Sequence, residues 1–167
     1  SVMGTGDYVG GVVGNNSSTI TACINTGSVT STGSVTGIDY YTGGVVGSTL
    51  NNATITACYW QTFGSGNRPD KGVGNNSGGT VTVTPIGPDA YTSDATPSWL
   101  FTDGTSGPID KLNAAIKAWN AKHTSDGKAC PYRFVENPAY SDALSKAGAP
   151  DYDTNVPPLL LKKVPAD

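Results

Sequence analysis

Short runs of β-branched residues alternate with threonine in the first half of the chain, and glycine or asparagine interrupts them. Residues 19–23 (TITAC) form one such run and residues 54–58 (TITAC) another. Alternation with a period of two is typical of β-strands with one buried face, and Gly and Asn favour the turns between strands. We therefore predict strands and turns, and no helix, before residue 100.

These runs belong to a repeat. Residues 10–15 (GGVVGN) return as residues 43–48 (GGVVGS) at an offset of 33, whereas the two TITAC runs are offset by 35. The second copy therefore carries two additional residues between Gly47 and Thr54, which a loop would accommodate. Repeats of this length indicate a stacked architecture.

A shorter third copy follows and ends at Pro85. Its residues 80–83 (TVTV) resemble the start of the TITAC run, and the alignment places Thr84 where the first two copies have cysteine. The three copies lie near residues 8–40, 41–68 and 69–86.

A strand-and-turn unit of this size cannot bury its apolar face alone, but stacking of successive copies pairs each strand in parallel with its equivalent. The spacing between neighbours would be roughly 4.7–4.9 Å. Ile20, Ile55 and Val81 would then form a ladder inside the coil. The fold class that we predict is an all-β repeat, a parallel right-handed β-solenoid (β-helix), over residues 1–86.

Composition changes near Pro85, because most glycines precede it whereas most prolines and cationic residues follow it. Ser106-Gly107-Pro108 is typical of a helix start, and apolar residues then recur at helical spacing. We predict one helix near residues 109–122, followed by short strands near residues 132–135 and 159–161. Residues 87–167 would thus form a small α/β C-terminal segment that caps the solenoid, since a helix this short needs a packing partner.

Charge and hydropathy exclude several classes of function. The chain carries a formal charge of −3 and has no extended basic cluster, so it lacks the features of a nucleic-acid-binding protein. It also has no apolar run of the length that a transmembrane helix requires. Ser1 to Gly6 already resemble repeat sequence, and we expect an export signal to lie upstream of them.

Catalytic, metal-binding and cofactor-binding patterns are absent from the sequence. His123 is the single histidine, which argues against the common zinc sites, and the Gly-x-Ser-x-Gly motif of many hydrolases is missing. The position of His123 predicts a role at the C-terminal end of the helix. We predict a protein that is not an enzyme, with no catalytic residue, metal or cofactor.

Cys23 and Cys58 occupy equivalent positions and should lie in adjacent coils. Either two buried free thiols or a disulfide would fit this spacing, although stacked parallel side chains are poorly oriented for the disulfide torsion. Cys130 is expected to be a packing residue. No basic residue lies near the first two cysteines in the sequence to lower a thiol pKa, which disfavours a catalytic thiol.

Residues 10–29 (GGVVGNNSSTITACINTGSV) resemble the GLUG-motif repeat, and residues 43–60 resemble it as well. The resemblance covers approximately residues 8–84. Ala22 and Ala57 depart from it, because the family often has asparagine before the cysteine. The resemblance implies a β-helical stalk or adhesive region of a Bacteroidetes surface protein, located outside the cell or at the outer-membrane surface.

Aromatic residues around the second copy are the candidate ligand-binding residues. Flat rings exposed on a solenoid flank suit stacking on sugars or protein partners, and the competing interpretation is that they cover the core. The sequence thus favours a cell-surface scaffold or adhesin, and a carbohydrate-binding module is the alternative. Glycans or host and cell-surface proteins would be the partners. The candidate residues are Tyr40, Tyr41, Tyr59, Trp60 and Phe63.

Overall fold

The computed structural model describes residues 1–32, 41–61, 71–86, 107–139 and 159–164, and the statements about structure below concern these residues. Tyr40 and Phe63 lie outside them. The chain divides into two compact units, Ser1–Pro88 and Asp89–Asp167. The predicted docking of the helix on the repeat region concerns the placement of one unit against the other and stays a prediction.

The first unit is built from short strands. They are β1 (Val2–Gly4), β2 (Tyr8–Gly10), β3 (Val13–Asn16), β4 (Thr19–Asn25), β5 (Val29–Ser31), β6 (Tyr41–Gly43), β7 (Val46–Thr49), β8 (Thr54–Gln61), β9 (Val73–Asn76) and β10 (Thr80–Ile86).

These strands form four small parallel sheets, each of which collects equivalent strands from successive copies. We name them set A (β1 and β5), set B (β2 and β6), set C (β3, β7 and β9) and set D (β4, β8 and β10). In set D, Ile20 pairs with Ile55 and Ile55 pairs with Val81. The predicted parallel ladder of the copies is confirmed.

The core of this unit lies where sets C and D face each other. Ile55 is fully buried, and Ile20 and Val81 pack against the same cluster. The buried members of the cluster are Val45, Val46, Ile55, Cys58 and Trp60. The β-branched residues of the repeats therefore supply much of the core, together with Cys58 and Trp60.

Glycines allow the backbones of sets B and C to lie in direct contact. A Cβ on Gly10 would lie 2.7 Å from the Gly47 nitrogen, and a Cβ on Gly47 would lie 2.6 Å from both the Gly14 oxygen and the Val9 nitrogen. Real Cβ atoms do not approach backbone atoms this closely. The glycines of the GGVVG motif thus leave the space that one backbone needs to pass another.

In each TITAC strand, an alanine in the left-handed conformation changes which of the following side chains face the core. Ala22 has φ 56° and Ala57 has φ 50°, a region that costs a non-glycine residue about 1–3 kcal/mol. The left-handed conformation of Ala57 interrupts the alternation of the strand. Ile55 and Cys58 therefore both face the core, although two residues separate them. The Cys58 thiol then donates to the Thr56 carbonyl oxygen over 3.3 Å.

Between the two core positions the third copy has one residue fewer than the second copy. The structure therefore corrects the sequence alignment of the third copy. Val81 pairs with Ile55 and Val83 pairs with Cys58, so the register shifts between Val81 and Val83. The position of the cysteine is taken by Val83, and Thr84 is paired with Tyr59 instead. With one residue between them, Val81 and Val83 reach the core by ordinary strand alternation.

Asparagine side chains hold the turns at the ends of the strands. Asn16 accepts from the Ser18 amide over 3.1 Å and donates to the Ser18 carbonyl over 3.0 Å. Asn76 makes the same double contact with Gly79, at 2.8 and 3.1 Å. The two additional residues of the second copy fall in the turn before Thr54, where Asn52 takes φ 68°, a conformation that asparagine tolerates better than most residues.

The second unit contains one helix and one antiparallel strand pair. Helix α1 (Pro108–Lys122) begins with the Gly107 amide bonded to the Asp110 carboxylate. Strand β11 (Tyr132–Glu136) pairs with β12 (Leu159–Lys163). The predicted helix and both predicted strands are confirmed, with small differences at their ends.

Two asparagines of the helix form hydrogen bonds with β11 and with the segment that precedes it. Asn113 donates to the Phe134 carbonyl over 2.9 Å and accepts from the Phe134 amide over 2.8 Å. Asn120 makes the same pair of bonds with Cys130, at 2.9 and 2.7 Å. Each amide group satisfies both backbone groups of one residue, which fixes the distance between the helix and this segment.

Candidate functional site

Among the predicted ligand-binding aromatics, Trp60 lies in the core. Its exposed fraction is 6%, and it belongs to the cluster that contains Ile55. A Cβ on Gly44 would lie 2.3 Å from Trp60 Cγ, and one on Gly72 would lie 2.6 Å from Trp60 Cζ3. The ring thus packs against glycine backbone and does not present an open face.

Tyr59 is buried as well, with an exposed fraction of 5%. Burial raises the pKa of its phenol, and the neighbouring Cys58 adds to the effect. For Tyr59 and Trp60 the structure corresponds to the interpretation in which these aromatics cover the core. The alternative, in which the rings are exposed on the solenoid flank, does not hold for these two residues.

Tyr41 lies in a different environment, in which Tyr8 is its cross-strand partner in set B. The two rings stack with their centroids 5.8 Å apart and their planes inclined by 12°. Tyr8 keeps 45% of its surface exposed, and Tyr41 is half-buried. This Tyr8–Tyr41 stack is an accessible aromatic surface of the first unit, unlike Tyr59 and Trp60.

Sequence reasoning missed Tyr8, although a signal for it was present. Tyr8 and Tyr41 are separated by the same offset of 33 as the two GGVVG motifs. In a parallel stack, identical residues at one register position lie directly above each other, so a pair of tyrosines at the repeat offset predicts stacked rings.

Cys23 and Cys58 are register partners and both are free thiols in this structure. Contact with Cys23, together with burial, raises the pKa of Cys58, and the contact between the two thiols lowers the pKa of Cys23. Cys58 is fully buried. The pair fills the core beside Ile55, and Cys58 remains protonated across the physiological range.

His123 lies at the C-terminal end of α1, as predicted. Its backbone amide donates to the Asn120 carbonyl over 3.1 Å, and its ring stacks on Trp119 with a centroid distance of 4.0 Å. Nδ1 pairs with the Asp126 carboxylate, which lowers the pKa of Asp126. These contacts give the imidazole a structural role at the end of the helix.

In the described ranges, no group of three or more His, Cys, Asp or Glu side chains could hold a metal ion. No helix of these ranges has the length and apolar character needed to cross a membrane.

Comparison with protein families, with curated proteins and with solved structures finds no match to this chain.

Proposed function

We propose that the first unit is a right-handed parallel β-solenoid of GLUG-like repeats, and that it serves as a non-enzymatic scaffold of the adhesin type outside the cell or at the outer-membrane surface. The observation that supports it best is the order in which the chain visits its sheets. It passes through sets A, B, C and D, returns to A, B, C and D, and then adds a third strand to C and D.

Such an order favours a winding chain, because the returning chain adds strands to the existing sheets in the same order and in the same direction. Parallel neighbours need a long connection, and here the other sheets of the turn provide it. In such an array each copy is stabilised mainly by its neighbours, and additional copies lengthen the array without changing its cross-section. That property suits a structure that holds a binding surface at a distance from a cell.

A surface role predicts that intact cells of the source organism expose this chain. Antibodies raised against it should label unpermeabilised cells, and brief protease treatment of those cells should remove most of the signal. A cytoplasmic protein serves as the control and should be detected only after lysis. If this chain also requires lysis for detection and survives the protease, the proposed location and the adhesin function are both rejected.

The Tyr8–Tyr41 stack favours a second candidate function, in which the solenoid binds carbohydrate. Aromatic rings with one accessible face provide apolar area at low entropic cost, and the phenol hydroxyls can donate to or accept from sugar hydroxyls. This version of the carbohydrate-binding hypothesis uses Tyr41, which the sequence indicated, together with Tyr8, which it did not.

A glycan array tests this candidate. We expect Tyr8→Ala and Tyr41→Ala each to lower the affinity for a bound glycan about two- to tenfold, since an aromatic contact contributes about 0.5–1.5 kcal/mol beyond its buried area. Leu50→Ala is the matched control, because Leu50 is an apolar residue of the same unit and is as exposed as Tyr8. An equal loss in the control, or no glycan bound by the unaltered chain, removes the carbohydrate-binding candidate.

A further inference from the structure

The second unit contains a cavity of about 800 Å³ between α1 and the segment that leads into β11. This volume lies within the usual range of small-molecule sites, roughly 300–1,000 Å³. The Asn113 and Asn120 bonds described above hold its two sides together, and both asparagines line it. The cavity therefore has a fixed frame.

Its lining combines apolar residues with cationic ones. Ile116, Ala121 and Val164 are among the apolar residues. Three cationic residues, Lys117, Arg133 and Lys163, come from the helix and from both strands, and no Asp or Glu is among the described lining residues. In the described ranges, ion pairs are found at Asp126, with His123 and Lys128, and not at these three cations.

Tyr132 adds an aromatic ring to this cavity. It is the cross-strand partner of Lys163, which also lines the cavity, and Tyr132 keeps 42% of its surface exposed. An aromatic ring beside a cation suits a ligand that has a flat or apolar body and an anionic group.

We propose that this cavity binds a small organic anion, a molecule with an apolar ring or chain and one carboxylate, sulfonate or phosphate group. The apolar body would contact Ile116 and its apolar neighbours, and the anionic group would be attracted by Lys117, Arg133 and Lys163. This proposal concerns the second unit and does not depend on the function proposed for the first.

The probe for the test is 8-anilinonaphthalene-1-sulfonate, an aromatic sulfonate whose fluorescence rises on binding, titrated into the full chain at low ionic strength. We expect Lys117→Gln, Arg133→Gln and Lys163→Gln each to weaken binding about two- to fivefold, and the triple variant to weaken it tenfold or more, as expected for partly exposed charge pairs. High salt should also lower the affinity of the unaltered chain for the probe, because it screens the attraction between charges.

Matched controls come from the same elements. Lys111 of α1 and Lys162 of β12 do not line the cavity, so Lys111→Gln and Lys162→Gln should leave the affinity within twofold of that of the unaltered chain. In addition, 1-naphthoate should displace the probe, whereas the uncharged 1-naphthalenemethanol should not. Far-UV circular dichroism of each variant verifies that the fold is retained.

The proposal also predicts where the probe binds. In amide NMR spectra, saturating probe should shift resonances of residues 113–133 and leave those of residues 8–25 unchanged. Unchanged affinity in the three single variants, an equal loss in the Lys111 and Lys162 controls, or shifts confined to the first unit would each overturn it.

Discussion

Replacing Gly47 with alanine should destabilise the first unit by about 3 kcal/mol or more, at the upper end of the cost of overpacking. The new Cβ would lie 2.6 Å from the Gly14 oxygen and from the Val9 nitrogen. Both are backbone atoms, so no side-chain rotation relieves the contacts. Strands β3 and β7 of set C must shift, and sets B and C must move apart. Urea denaturation followed by far-UV circular dichroism measures the change.

Gly6→Ala is the matched control for this prediction. A Cβ on Gly6 would meet no atom within 4 Å, so the midpoint of denaturation should change by no more than an exposed substitution causes, about 0.5 kcal/mol in free energy. If Gly47→Ala proves as mild as Gly6→Ala, sets B and C are not in backbone contact, and our account of the GGVVG motif is wrong.

Replacing Trp60 with alanine should cost about 3–5 kcal/mol of stability, the usual range for removal of a large buried aromatic side chain. Trp60 has 6% of its surface exposed and contacts Gly44 and Gly72. Its truncation leaves a cavity between backbone segments that are already held by parallel pairing, so little collapse can fill it. The same denaturation experiment measures this loss.

Tyr8→Ala provides the contrast, because Tyr8 is 45% exposed and its loss should cost no more than about 1 kcal/mol. A Trp60→Ala protein that unfolds at the same urea concentration as the unaltered chain would show that the indole is a surface group. In that case, the interpretation of Trp60 as a ligand-binding residue would regain its support.

The strand ladders could be predicted from the sequence because they depend on repetition. Two identical TITAC runs must share a structure, and the simplest way to bury both is to pair them in parallel, so the Ile20–Ile55 register followed directly. The helix could be predicted for a comparable reason, since the spacing of Leu112 and Ile116 and the proline at residue 108 are local signals.

The burial of Trp60 could not be predicted from strand alternation. With strict alternation from Ile55, Trp60 would lie on the outer face, and only the left-handed Ala57 brings Cys58 and Trp60 to the same side as Ile55. Alanine carries no sequence signal for that conformation, unlike glycine or asparagine. The same unpredicted residue explains why the alignment misplaced Thr84.

The cavity of the second unit was also beyond sequence reasoning. Lys117, Arg133 and Lys163 are separated widely in the chain and belong to no motif, and their association depends on the asparagine bonds between α1 and residues 130 and 134. Asn113 and Asn120 lie seven residues apart on one side of the helix, yet asparagine at that spacing is equally compatible with exposure to solvent.

The central claim is that successive copies lie in parallel register, and side-chain NOE contacts between threonines of β4 and β8 test it most directly. Parallel pairing predicts contacts of Thr19 with Thr54 and of Thr21 with Thr56, whose hydroxyl oxygens lie 3.0 Å apart. An antiparallel arrangement about Ile20 and Ile55 would instead connect Thr19 with Thr56 and Thr21 with Thr54. Observation of the second set of contacts would contradict the account.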